Sequence, residues 1–163
     1  MMKLKDILLE IGEGSAKPYQ FRTVKDKPDN TDHNRQVSFK TEDNDQYQVE
    51  LHAYWGDNWV TDTLGSHITI DFLIDHGFGN RDAYVVVNKG RLFRVMATVV
   101  QIAREFMKDI DYKEKGIDTL RIEPTKDDLD DHRRSGLYMA YIKRQLPVAS
   151  VKYDGDEIVA KLK

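Results

Sequence analysis

Tyr47-Gln48-Val49-Glu50-Leu51-His52-Ala53-Tyr54-Trp55 decides the fold. In an extended chain Tyr47, Val49, Leu51, Ala53 and Trp55 share one face, and Gln48, Glu50, His52 and Tyr54 the other. One apolar face and one wet face mark an antiparallel sheet covered on a single side. Working outward, Glu42-Asp43-Asn44-Asp45 is a turn, and before it Val37, Phe39 and Thr41 carry the same period of two. Residues 25–36 are polar throughout and read as a mobile loop, preceded by a short strand through Tyr19, Phe21 and Thr23. On the other side, Gly56-Asp57-Asn58 opens a loop. Ile68, Ile70, Phe72 and Ile74 then form another inward row, with His67, Thr69, Asp71, Leu73 and Asp75 facing out. His76-Gly77-Phe78-Gly79-Asn80 ends that strand, and Ala83–Val87 and Leu92–Ala97 flank Asn88-Lys89-Gly90 as a predicted hairpin.

Further out the period becomes helical. Leu4, Ile7, Leu8 and Ile11 stand at i, i+3, i+4 and i+7, giving one apolar face of a helix stopped by Gly12 and Gly14. Thr98-Val99-Val100-Gln101 has the form of a capping box, followed by Ile102, Ala103, Phe106 and Ile110 at helical spacing. A short strand through Leu120 and Ile122 ends at Pro124, and Thr125-Lys126-Asp127-Asp128 caps a second helix that closes with Lys143, Arg144 and Pro147. Leu137, Tyr138, Tyr141, Ile142 and Leu146 form its inward face. Val148–Tyr153 and Ile158–Leu162 pair across Asp154-Gly155-Asp156. The expected fold is α+β: a single domain over 1–163, with a helix at 1–12, antiparallel strands over 18–97 and an α/β half over 98–163. Its sheet is mixed but mainly antiparallel, and its C-terminal half runs β-α-β-α-β-β.

Composition narrows the chemistry. A chain of 163 residues buries roughly two-thirds of its unfolded surface, enough for a core without staples. The absence of cysteine removes disulfides, thiolate catalysis and cysteine-ligated zinc. The net charge of −3 is too small to mark a general nucleic-acid or membrane binder. No apolar run reaches the ~20 residues of a membrane span, so a soluble intracellular protein is expected. The small net charge hides an asymmetry: residues 1–82 carry 9 basic and 15 acidic side chains, and residues 83–163 carry 16 and 13.

Motifs for catalysis are sparse. His67 and Asp71 share a strand face but stand roughly 13 Å apart, too far to ligate one ion, so no metal is expected at His52, His67, Asp71, Asp75 or His76. None of Ser15, Ser38, Ser66, Ser135 or Ser150 sits in a nucleophile elbow, and no Gly-rich phosphate loop is present. Arg91, Arg94, Arg133, Arg134, Lys143 and Arg144 are candidates for a phosphate-binding stripe, with Asp127–Asp131 beside two of the arginines to offset the field.

Arg134-Ser135-Gly136-Leu137-Tyr138-Met139-Ala140-Tyr141, together with the terminal order strand–helix–strand–helix–strand–strand, resembles the GNAT-type N-acetyltransferases. That resemblance implies a GNAT-like topology, Tyr138 as general acid, and acetyl-CoA held at Ala97, Thr98 and Val99. The same stretch with Phe93–Val100 is also similar to short proteins of tailed bacteriophages, which implies a place in the host cytoplasm or the virion. Against the family's Arg/Gln-x-x-Gly-x-Gly/Ala loop, this chain reads Arg94-Val95-Met96-Ala97-Thr98-Val99-Val100, with no glycine to let backbone N–H groups approach a pyrophosphate. The leading expectation is therefore a non-catalytic phage-type protein with no cofactor, acting through a protein partner such as another phage structural protein. Leu4, Ile7, Leu8 and Ile11 are its candidate docking face, and oligomers are compatible with it. An acetyl-CoA-dependent enzyme is the second reading and a nucleic-acid-binding accessory protein the third.

Overall fold

The computed structural model describes residues 17–42, 44–75, 81–83, 89–123, 132–154 and 157–163; for 72–75, 81–83, 89–92, 132–135 and 137–138 it describes the backbone alone. The strands are β1 (Phe21–Pro28), β2 (Asp32–Lys40), β3 (Gln46–Tyr54), β4 (His67–Asp75), β5 (Arg81–Ala83), β6 (Thr119–Ile122), β7 (Val148–Asp154) and β8 (Glu157–Leu162). The helices are α1 (Trp59–Leu64), α2 (Lys89–Ile110) and α3 (His132–Gln145). The strands form one eight-stranded sheet in the order β1-β2-β3-β4-β6-β8-β7, with β5 pairing to β4. Only β4 and β6 run parallel among the described strands, His67–Ile70 beside Thr119–Ile122. The arrangement is α+β, with a mixed and mostly antiparallel sheet.

The alternation in β3 holds. Tyr47, Val49, Leu51 and Ala53 are all buried, and each faces a partner on β2 and β4. Val37, Phe39, Ile68, Ile70, Leu120, Ile122, Ile158 and Ala160 continue the same buried face across the sheet. α2 lies on this face and carries Val95, Val99, Ile102, Ala103, Phe106 and Ile110 as one buried stripe at helical spacing. α3 packs beside it through Tyr141 and Ile142, followed by the buried Leu146 just past its end.

Four elements depart from the reading of the sequence. Residues 25–36 are not a loop: β1 runs to Pro28, β2 starts at Asp32, and the turn is closed by the Asp29 N–H to the Asp32 carbonyl at 2.8 Å. The polar composition arises because β1 is an edge strand. Arg22, Lys25, Asp26, Lys27 and Pro28, together with a bulge between Thr23 and Lys25, guard that edge against pairing with other chains. Leu92–Ala97 is not a strand but part of α2, which begins at Lys89; a contiguous apolar run does not by itself distinguish strand from buried helix. Thr98 therefore lies inside α2 and caps nothing. Residues after Asn58 form the short helix α1, and His67 is buried at 1% exposure rather than facing water. The expected helix at 1–12 and the expected cap at Thr125 lie outside the described residues.

Candidate functional site

The junction of β4 and β6, the parallel pair among the described strands, is the candidate site. The two strands pair for four residues and separate after Ile70 and Ile122. The edge of β4 beyond that point is not open: β5 folds back and pairs with it, Leu73 to Ala83, Ile74 to Asp82 and Asp75 to Arg81. On the helical side the junction is lined by Met96, Val99, Val100 and Ala103 of α2, by Ile142 of α3 and by Leu146 just past the end of α3. Among the described residues a cavity of ≈ 20 Å³ lies here, lined by apolar side chains. That is room for about one water, with no polar partner to hold it.

Ala97, Thr98 and Val99 stand two turns inside α2 and are buried. They present side chains to the core and no helix N-terminus to a phosphate. Tyr138 lies in α3, and its side chain is outside the described set. Leu4, Ile7, Leu8 and Ile11 fall outside the described residues altogether.

Thr98 has a different task. Its hydroxyl donates to the Arg94 carbonyl one turn back at 2.6 Å and accepts the Tyr19 backbone N–H at 2.8 Å. Arg94 adds a bond from Nε to the Lys17 carbonyl at 2.9 Å, lies 3.9 Å over the Tyr19 ring, and pairs with Glu42 at 2.6 Å. The Tyr19 hydroxyl donates to the same carboxylate at 2.6 Å. The Tyr19 hydroxyl, a backbone N–H and Arg94 hold the Glu42 carboxyl below its ordinary value. This cluster fastens the chain before β1 onto α2. It also occupies Arg94 of the candidate phosphate stripe; Lys143 and Arg144 are exposed in the last turn of α3, and the side chains of Arg91, Arg133 and Arg134 are not described.

The polar face of the sheet, opposite the helices, carries the titratable groups. His52 stacks on Tyr54 with centroids 4.3 Å apart, Tyr54 leans on His67 at 5.2 Å, and His67 donates from Nδ1 to the Gly65 carbonyl at 2.7 Å. In the next row Glu50 lies directly opposite Asp71, while Arg121 pairs with Glu157 at 2.6 Å. Burial, then repulsion from Glu50 and Glu157, pushes the Asp71 carboxyl above its ordinary 3.8, with His52 opposing. A carboxylate whose folded pKa is raised disfavours the fold once ionised, and the penalty is relieved as pH falls through that raised value. Asp71→Asn is therefore expected to raise the denaturation midpoint at pH 7, with the gain shrinking as the pH is lowered toward 3.8. Equal stability of the two proteins at pH 7 would contradict the repulsive reading. No group of three or more His, Cys, Asp or Glu side chains converges for a metal among the described residues.

The last feature is one the sequence reading passed over. α1 is short but doubly capped. The Asn58 carboxamide accepts the Val60 and Thr61 N–H groups at 2.9 and 3.0 Å, and Thr61 Oγ1 accepts the Asn58 N–H at 3.1 Å. This helix holds Trp59 in solvent at 83% exposure, with Leu64 at 45%. The signal for it is Asn58 with Thr61 three residues on, a cap with a threonine in place of the usual Glu or Gln. No family model, curated protein or solved structure matches the chain.

Proposed function

We propose that this chain is a non-catalytic, phage-type protein that works through protein contacts in the host cytoplasm or the virion. The observation that carries this reading is β5 on the edge of β4. An acyl carrier threading between β4 and β6 would have to displace a strand of the protein's own sheet and a set of packed apolar side chains. With β4 and β5 ahead of α2 in place of a strand at Leu92–Ala97, the order α2-β6-α3-β7-β8 supports the GNAT resemblance. A GNAT-like scaffold adapted to binding accounts for both features. No helix among the described residues is long and apolar enough to cross a membrane, which is compatible with that setting. Leu4, Ile7, Leu8 and Ile11 stay with this reading as a docking face proposed from sequence.

One observation favours the second reading, an acetyl-CoA-dependent enzyme with Tyr138 as general acid. Because α2 starts at Lys89, Gly90 stands in its first turn, so a glycine is present at the helix start after all. Isothermal calorimetry with acetyl-CoA separates the two. The expected result is no binding heat at millimolar ligand. Micromolar binding that weakens when Gly90 is changed to a bulkier residue would replace the contact protein with the enzyme.

A further inference from the structure

We infer that the α1 surface around Trp59 is a docking site for a lysine- or arginine-bearing segment of a partner protein; this rests on the contact reading above and names the partner's chemistry. Trp59 projects from a helix whose start is fixed by three capping hydrogen bonds. The indole is therefore presented by a rigid mount, and little ordering entropy remains to be lost when a partner closes on it. Exposed tryptophan is the side chain most enriched at interface hot spots.

The charge around it sets the partner's sign. Asp57 precedes the cap and Asp62 follows Trp59 by three residues, and both are exposed. No lysine or arginine occurs from Trp55 to Ser66. An indole with exposed carboxylates two residues before it and three after it, and no cation in its own segment, attracts a cationic side chain through the ring quadrupole and the acids together. The protein already makes one such contact beside this surface: Lys115 Nζ lies 5.3 Å from the centroid of the Trp55 ring. Trp55 in turn is tied to the α1 cap, since Asn58 Nδ2 donates to its carbonyl at 3.1 Å. The same carboxylates argue against bases of a single-stranded nucleic acid stacking on Trp59, because the phosphates would be repelled.

The experiment is a titration of the full chain with a short oligolysine peptide, followed at the two indole N–H resonances, with Trp59→Phe used for assignment. The expected result is a saturable shift of the Trp59 resonance. Trp59→Ala is expected to weaken binding about two- to fivefold, and the Asp57→Asn, Asp62→Asn double variant is expected to weaken it further. Added salt should weaken binding throughout. Trp59 is on the surface, so its replacement leaves the core intact, and an unchanged denaturation midpoint checks this. Peptide binding that is equal in Trp59→Ala overturns the site. A Trp59 shift produced instead by a short oligothymidine, or by raising the concentration of the chain alone, overturns the partner assignment in favour of nucleic acid or self-association. Running acetyl-CoA in parallel keeps the two readings apart: coenzyme binding removes the contact function, whereas silence toward both coenzyme and peptide removes only the Trp59 site.

Discussion

Phe106→Ala is expected to destabilise the protein by about 3–5 kcal/mol, read as the fall in unfolding free energy from urea denaturation. Phe106 is fully buried on α2. Its ring receives the edge of His33 at 5.3 Å and the Arg35 guanidinium at 5.2 Å. Arg35 is held there by Asp26 at 2.9 Å and Asp109 at 2.8 Å, and His33 donates to the same Asp26 oxygen at 2.7 Å. Burial works against the Asp26 carboxylate, but the hydrogen bonds from Arg35 and His33 outweigh it and hold its pKa below 3.8. Its contribution to stability is therefore full above that value and is lost as pH falls through the lower folded pKa. Removing the ring opens a cavity beneath this network and takes away the apolar surface on which the Arg35 guanidinium and the His33 ring rest. Against a total stability of roughly 5–15 kcal/mol for a domain, the loss is a large fraction. Phe106→Leu should recover most of it. A cost below about 1 kcal/mol for the alanine variant would mean that the site collapses around the missing ring.

Thr98→Val is expected to cost about 1–3 kcal/mol, the usual penalty for a buried donor deprived of its partner. The valine keeps the volume and the branching, so packing inside α2 is retained. What disappears is the acceptor for the Tyr19 N–H and the donor to the Arg94 carbonyl. The effect should be local before it is global. Hydrogen exchange at the Tyr19 amide should accelerate more than exchange at Val49 or Leu51, which lie in the centre of the sheet. Thr98→Ser, which keeps the hydroxyl, should behave almost like the parent protein. An unchanged Tyr19 amide in Thr98→Val would show that the segment before β1 is held by Arg94 and Glu42 without the hydroxyl.

The contrast between Tyr47–Trp55 and residues 25–36 explains which strands were legible. β3 sits between two neighbours with one face on the core and one on water, so its side chains record the pleat. β1 has a neighbour on one side only and is exposed along nearly its whole length, so its composition records the solvent. His33 and Arg35 mislead for the opposite reason. They point inward with Val37 and Phe39, and the Arg35 guanidinium and the His33 ring nitrogen are met by Asp26 and Asp109, residues distant in sequence or on a neighbouring strand. Thr98 matches a capping pattern by residue type alone; only the tertiary neighbour Tyr19 reveals what its hydroxyl does. Ala97, Thr98 and Val99 lie inside α2 because the helix starts at Lys89, ahead of the Thr98 cap pattern. The Trp59 surface was hidden because a helix of six residues is too short to leave a period.

The sheet's topology also bears on how the chain emerges from the ribosome. β1 to β4 are consecutive antiparallel neighbours, so they can pair as soon as residues up to Asp75 are free. Among the described residues nothing made before α2 covers their shared apolar face, and β6 finds its place only beside a β4 already in position. The nascent protein thus passes through an interval with a formed meander and a bare hydrophobic side, the kind of surface that draws aggregation partners and chaperones. It is the arrival of Lys89–Ile110, more than the pairing of any strand, that ends this exposure.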